Sequence, residues 1–149
     1  MSTVPKGLGT LEISAGIRVD TEFFPDALGH ISVLGVTFVD GSAYVEIRRS
    51  RTGASLVLST GETVPLLQPF PVGSWKTIEM RFAFGSRGTA PRVVTYIDAV
   101  PSGSAPLPAD VYRSADSPRV LVGPGVATGP LGVVRMNVDN VSVRGSLLK

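Results

Sequence analysis

A chain of 149 residues, 43% hydrophobic and 17% charged, is too apolar to remain disordered and long enough to bury one sizeable core, so residues 1–149 read as a single domain. Its 14 basic and 12 acidic residues leave a formal net charge of +2, which excludes the basic stripe of a nucleic-acid binder. Cysteine is absent, which excludes disulfides, thiolate metal sites and cysteine nucleophiles, and no apolar run approaches the ~18 residues of a membrane span.

The chain opens Met1-Ser2-Thr3-Val4-Pro5-Lys6-Gly7, without the charged and then apolar order of a secretion signal. A complete protein or a domain freed of its signal would both read this way. Short alternating blocks follow. Leu11-Glu12-Ile13 and Ile17-Arg18-Val19-Asp20 predict strands, with a bend at Ala15-Gly16. Ile31 to Val39 is nearly all apolar, as in a central strand. Asp40-Gly41 then precedes Ala43 to Ile47, and an Asp-Gly pair between two such runs signals a hairpin. Thr52-Gly53 and Thr60-Gly61 bracket a strand at Leu56-Val57-Leu58.

Residues 62–73 hold three prolines and no clean period, which predicts a loop. From Trp75 onward the alternation is clear. Ile78, Met80, Phe82 and Phe84 share one face, while Thr77, Glu79 and Arg81 share the other. A turn at Gly85-Ser86-Arg87-Gly88 leads into Val93 to Asp98, and the Pro/Ser/Ala-rich stretch 101–110 predicts loop. Arg119 to Val122 is a further strand, ended by Gly123-Pro124-Gly125. The closing strand, Val133 to Val143, changes parity: Val134, Met136 and Val138 share one face, and Val141 and Val143 take the opposite parity. One residue must be absorbed between them, which predicts a β-bulge at Asp139-Asn140. Roughly ten short strands with turn signals between them predict an all-β fold, an antiparallel β-sandwich or jelly roll.

Few residues offer chemistry. Glycoside hydrolysis needs two carboxyl groups about 5–9 Å apart, and Asp20-Thr21-Glu22 is the one pair of carboxylates at strand i, i+2 spacing, read here as a solvated strand end. His30 is the only histidine, and no nucleophile elbow accompanies it, so the chain is expected not to be an enzyme. No cofactor is expected. Calcium is the open metal question, with Asn137, Asp139 and Asn140 as candidate ligands, against the alternative that these side chains bond local backbone freed by the bulge. Arg48-Arg49-x-Arg51 is the densest positive cluster and suits an anionic ligand or partner, or else a hairpin kept soluble by charge. Trp75, Tyr44, Tyr96 and Tyr112 are candidates for stacking on sugars, with core packing as the alternative; the parity of Trp75 makes it partly exposed.

Three segments in order resemble the concanavalin A-like lectin/glucanase superfamily, in particular its laminin G-like jelly rolls. Gly73-Ser74-Trp75-Lys76-Thr77-Ile78-Glu79-Met80 looks like that group's small-polar-Trp entry to a long strand. Val93 to Ala99 looks like its next strand, although Ala99 stands where glycine is usual. Val120-Leu121-Val122-Gly123 with Val138 to Val143 matches the closing pair. The resemblance implies two packed sheets, one convex and one concave, presenting glycans or protein partners on the concave face or rim loops. Its hydrolases carry Glu-x-Asp-x-x-Glu, whereas Pro25 stands at the third acidic place here. The functional expectation is a structural or interaction protein of an extracellular assembly, a bacteriophage virion component above all, acting as an oligomer or in a complex. The alternative is a carbohydrate-binding module of a larger secreted bacterial protein.

Overall fold

The computed structural model describes residues 8–21, 29–38, 41–85, 89–108, 112, 118–124, 127–128 and 134–147. They form eleven strands: β1 (Leu8–Thr21), β2 (His30–Phe38), β3 (Ala43–Ser50), β4 (Gly53–Leu58), β5 (Thr63–Pro65), β6 (Lys76–Ala83), β7 (Arg92–Ile97), β8 (Val100–Pro106), β9 (Arg119–Val122), β10 (Ala127–Thr128) and β11 (Arg135–Leu147). A five-stranded antiparallel sheet runs β11-β1-β6-β7-β8, and a six-stranded one runs β10-β2-β3-β4-β5, with β9 pairing β2 beside β10. The two pack face to face as the expected sandwich of jelly-roll type.

Alternation makes the layers. Leu11, Ile13, Ala15, Ile17 and Val19 of β1 are buried, and they meet Ile78, Met80 and Phe82 of β6 on the same inner face. The other sheet contributes Val36, Phe38, Val45, Ile47, Leu56 and Leu58. Phe38 joins the layers: its ring meets Phe82 and Phe84 edge-on at 6.0 Å and Tyr112 edge-on at 5.0 Å. Edge-to-face contacts of this kind each add about 0.5–1.5 kcal/mol beyond burial.

The parity change in the closing strand is a bulge. β11 pairs β1 from Leu8↔Leu147 to Thr21↔Arg135, and the register steps between Ser14↔Ser142 and Gly16↔Asp139. Two residues of β11, Asn140 and Val141, thus oppose Ala15 alone. Asn140 takes φ +52, the left-handed conformation that such a bulge needs and that asparagine tolerates better than most residues. The irregularity belongs to β11, so β1 runs through Ala15-Gly16 without the expected bend. Strand β11 continues past Val143 to Leu147; Val133 lies outside the described residues, as does Asp40, although β2 and β3 pair down to Phe38↔Ala43 as the hairpin signal requires.

Two stretches expected as loops contain edge strands. Val100–Pro106 is β8, which pairs only with β7, and an edge tolerates Pro101 and Pro106 because one side of its backbone needs no ladder partner. Its far side is covered in part by residues 67–68, whose amides donate to the Ser102 carbonyl (2.8 Å) and Oγ (3.0 Å). Thr63–Pro65 is the three-residue edge strand β5. Proline, shortness and the β11 bulge blunt edges that would otherwise recruit other chains.

The departure at Ala99 leaves the hairpin tight. Ile97 pairs with Val100, so Asp98-Ala99 is a two-residue turn, and both residues are left-handed at φ +51 and +64. The Asp98 amide donates to the Thr77 carbonyl at 2.8 Å, which docks the turn on β6. A Cβ in this region costs about 1–2 kcal/mol, against about 0.5–1 kcal/mol of extra unfolded-state entropy for glycine. Ala99→Gly is therefore expected to stabilise the protein by about 0.5–1 kcal/mol. Denaturant unfolding checks this, and a lowered midpoint would contradict the turn geometry.

Candidate functional site

The two outward faces differ. On the five-stranded sheet, outward residues such as Thr77 and Arg81 are exposed. On the six-stranded sheet, Ser32, Glu46 and Val57 also point outward, yet they are only 1%, 5% and 7% exposed. Ser32 and Glu46 are thus held out of bulk water, while Tyr44 and Arg48 on the same face are half-buried.

Strand parity and one bulge assemble it. Tyr44, Glu46 and Arg48 alternate along β3 and share the outward side. β2 carries an extra residue, Val33, between the pairs Ser32↔Arg48 and Leu34↔Ile47. The insertion lets Ser32 face outward beside Arg48 while Gly35 faces outward opposite Glu46.

The carboxylate of Glu46 is fixed on both oxygens. Oε2 accepts a hydrogen bond from the Ser32 hydroxyl, and Oε1 accepts from Arg48 Nε at 2.6 Å and from its terminal nitrogen. The Arg48 guanidinium lies 5.4 Å from the centroid of the Tyr44 ring, within cation–π range. Gly35 makes the space, because a Cβ there would stand 2.8 Å from the Glu46 Cβ and 3.1 Å from the Val45 carbonyl oxygen. A buried ion pair lacking either partner is strongly destabilising, so this one is locked in place. What it offers chemically is a fixed planar donor, whose unused N–H groups suit hydroxyl or carboxylate oxygens, beside an aromatic ring. Among the described strand residues of this face, Glu46 is the only carboxylate.

The expected site residues are scattered. Arg49 points inward, donates to the Phe70 carbonyl and places its guanidinium 5.0 Å from the Phe70 ring centroid. Arg51 is exposed in the β3–β4 turn. Alternation therefore sends these neighbours of Arg48 elsewhere, and the three arginines form no single cluster. Trp75 and Tyr96 lie on the outward side of the other sheet, under the guanidinium groups of Arg18 (5.3 Å) and Arg81 (4.3 Å). Tyr112 is core, its hydroxyl 3.2 Å from both the Tyr44 carbonyl and Ser59 Oγ, and burial raises its phenol above the ordinary value.

The calcium candidates are engaged locally. Asn137 donates to Asp20 Oδ2 at 2.5 Å, and Asp139 Oδ1 accepts the Asn140 amide at 2.8 Å. The Arg18 guanidinium, helped by Asn137, holds the Asp20 carboxyl below its usual range. Among the described residues, no three acidic or histidine side chains converge as a metal group. Glu22 and Pro25 lie outside the described residues. His30 opens β2 with its Nε2 buried and unbonded. No helix among the described residues is long and apolar enough to cross a membrane.

Ser32, Gly35 and Glu46 were not among the residues expected to form a site. The alternation Tyr44-x-Glu46-x-Arg48 was the available signal; the bulge at Val33 carries none in a nearly all-apolar run.

No sequence-family model matches the chain, and no curated protein matches it. Solved structures do. The PL7 alginate lyase AlyA1 from Zobellia galactanivorans superposes with TM-score 0.61 at 13% identity, over 97% of this chain and 65% of the lyase. The cellulose-induced protein Cip1 gives 0.56 at 16% identity, over 95% and 69%. A tetrameric galectin from the ball sponge Cinachyrella sp. gives 0.54 at 14% identity, over 96% of each chain. The chain thus spans a little under two thirds of the length of AlyA1. These likenesses show the fold, an all-β two-sheet sandwich related to several carbohydrate-binding or carbohydrate-active folds, and do not single out one family.

Gly35→Ala tests the close approach of β2 to Glu46. It is expected to destabilise the protein by about 1–3 kcal/mol through overpacking against Glu46. An unchanged denaturation midpoint would contradict that geometry.

Proposed function

We propose that the protein is a non-catalytic glycan-binding module, and that its ligand face is the outward face of the six-stranded sheet. The observation that carries this reading is the Arg48 guanidinium, fixed by Glu46 and set over Tyr44. Such an arrangement meets sugar oxygens with donors that lose little freedom on binding, while the ring offers an apolar surface to a pyranose. The similar structures include alginate lyases and a galectin, which favours a sugar over a protein of an assembly as the ligand. A bacteriophage virion component, the other expectation, draws no comparable support.

The narrower placement among concanavalin A-like, laminin G-like jelly rolls is part of the proposal. It is supported by the way β6, β7 and β11, which carry most of the resemblance, fall in one sheet. That the module does not hydrolyse glycosides is supported by the carboxylates. Glycoside hydrolysis uses a pair of them, and the described strands of this face supply Glu46 alone.

A glycan array spanning neutral and uronate polysaccharides, followed by calorimetry on any hit, tests the reading. Arg48→Lys keeps a cation beside Glu46 and removes the planar fork, so it is expected to weaken binding about tenfold with little change in melting temperature. An array without hits, or binding indifferent to Arg48→Lys, would overturn the site; depolymerisation of the bound glycan would overturn the non-catalytic part.

A further inference from the structure

The opposite side of the sandwich holds a polar groove. A groove of about 320 Å³ lies on the outward side of the five-stranded sheet, with Trp75, Gly16 and Lys76 along it and Asp98, Asp139 and Asn140 at its ends. Trp75 is the only tryptophan of the chain and is 46% exposed. Its indole lies next to Gly16, where a Cβ would come within 3.8 Å of the ring and 3.3 Å of the Asp139 carbonyl oxygen. Bare backbone thus forms the floor beside the ring, and the Arg18 guanidinium steadies the indole.

At one end Asp98 is held in place. Its Oδ2 accepts from Lys76 Nζ at 2.7 Å and its Oδ1 accepts from the Thr77 amide at 3.0 Å. These two bonds, Lys76 first, keep its carboxyl below the usual carboxylate range, so it is an acceptor at neutral pH. Each oxygen retains a lone pair for a further donor.

The groove also gathers backbone strain. Asp98, Ala99 and Asn140 are the only non-glycine residues at positive φ among the described residues. Asp98 and Asn140 line the groove, and Ala99 completes the turn that presents Asp98. Strained backbone of this kind concentrates at binding sites, where surrounding structure over-determines it.

We infer that this groove is a second carbohydrate site, independent of the Arg48 face, that takes an uncharged pyranose stacked on Trp75 with neighbouring hydroxyls donated to Asp98. The aromatic face attracts the C–H edge of a sugar ring, and a carboxylate with both oxygens in a fixed plane suits adjacent hydroxyls. Charge selects the class. Among the lining residues Asp98 and Asp139 outnumber Lys76, whose ammonium is engaged by Asp98, and the Arg18 guanidinium against Trp75 is engaged by Asp20, so the groove is net acidic and disfavours a uronate.

Because Trp75 is unique, its emission reports on this groove alone. Titrating the protein with neutral gluco-, manno-, xylo- and galacto-oligosaccharides is expected to give a saturable emission change with at least one, and none with a uronate oligomer. Asp98→Asn should weaken that response about tenfold, as loss of a charge-assisted hydrogen bond requires, and Arg48→Lys should leave it unchanged. If Asp98→Asn lowers the melting temperature, the wild-type indole N–H resonance gives the same reading: it must shift with the neutral sugar and not with the uronate. No response to any neutral sugar, a stronger response to the uronate, or loss of the response in Arg48→Lys would overturn the proposal. Glycan binding that leaves Trp75 silent would overturn it while leaving the first site standing.

Discussion

An extra residue in a β-strand turns every side chain beyond it to the other face unless the backbone absorbs it locally. Both polar sites of this protein depend on such an absorption. Val33 in β2 lets Ser32 and Gly35 face outward together, which brings Ser32 to the Glu46 carboxylate and leaves room opposite it. Asn140 in β11 keeps Val138 and Val143 on one side of the sheet, opposite Ile17 and Ile13, and sets Asp139 and Asn140 at the rim beside Trp75. The apolar pattern is preserved on either side of each bulge, although Val138 and Val143 of the edge strand β11 stay 38% and 51% exposed, and the freed polar groups are delivered outward.

The cost of placing an ion pair in the six-stranded sheet is carried by the layer beneath it. Val45 and Ile47 alternate with Tyr44, Glu46 and Arg48 and are fully buried, within a core that Phe38 ties to Phe82 and Phe84 of the opposite sheet. Removing two charges from water costs several kcal/mol per ion in real proteins, so such a pair is poor evidence of stabilisation by itself. Here both Glu46 oxygens are hydrogen-bonded, and the fixed Arg48 guanidinium is what a ligand would meet.

Sandwich architecture was legible because period-two alternation is local. β1, β6 and the parity change in β11 can be read from Leu11 to Val19, from Ile78 to Phe84 and from Val134 to Val143 without any knowledge of neighbours. Edge strands were not. The prolines of 101–110 suggest loop, and only the pairing partners show that Val100–Pro106 has one side that needs no ladder. The Asp98-Ala99 turn likewise keeps its tight form although alanine replaces glycine, because the Thr77 contacts hold it. The arginines at 48, 49 and 51 look like a cluster in linear order and are separated by the same alternation that defines the strand. The Ser32–Glu46 bond joins residues fourteen apart through a bulge inside an apolar run, and nothing local announces it.

Likeness to lyases and a galectin at 13–14% identity establishes the fold alone, so function has to be argued from the faces. A crystal structure of the protein with a bound oligosaccharide tests the central claim most directly. The account predicts a sugar ring on the outward face of the six-stranded sheet, against Tyr44 and within hydrogen-bonding distance of the Arg48 nitrogens not bound to Glu46. A ligand bound only at the sheet edges or connecting loops, with that face bare, would contradict it.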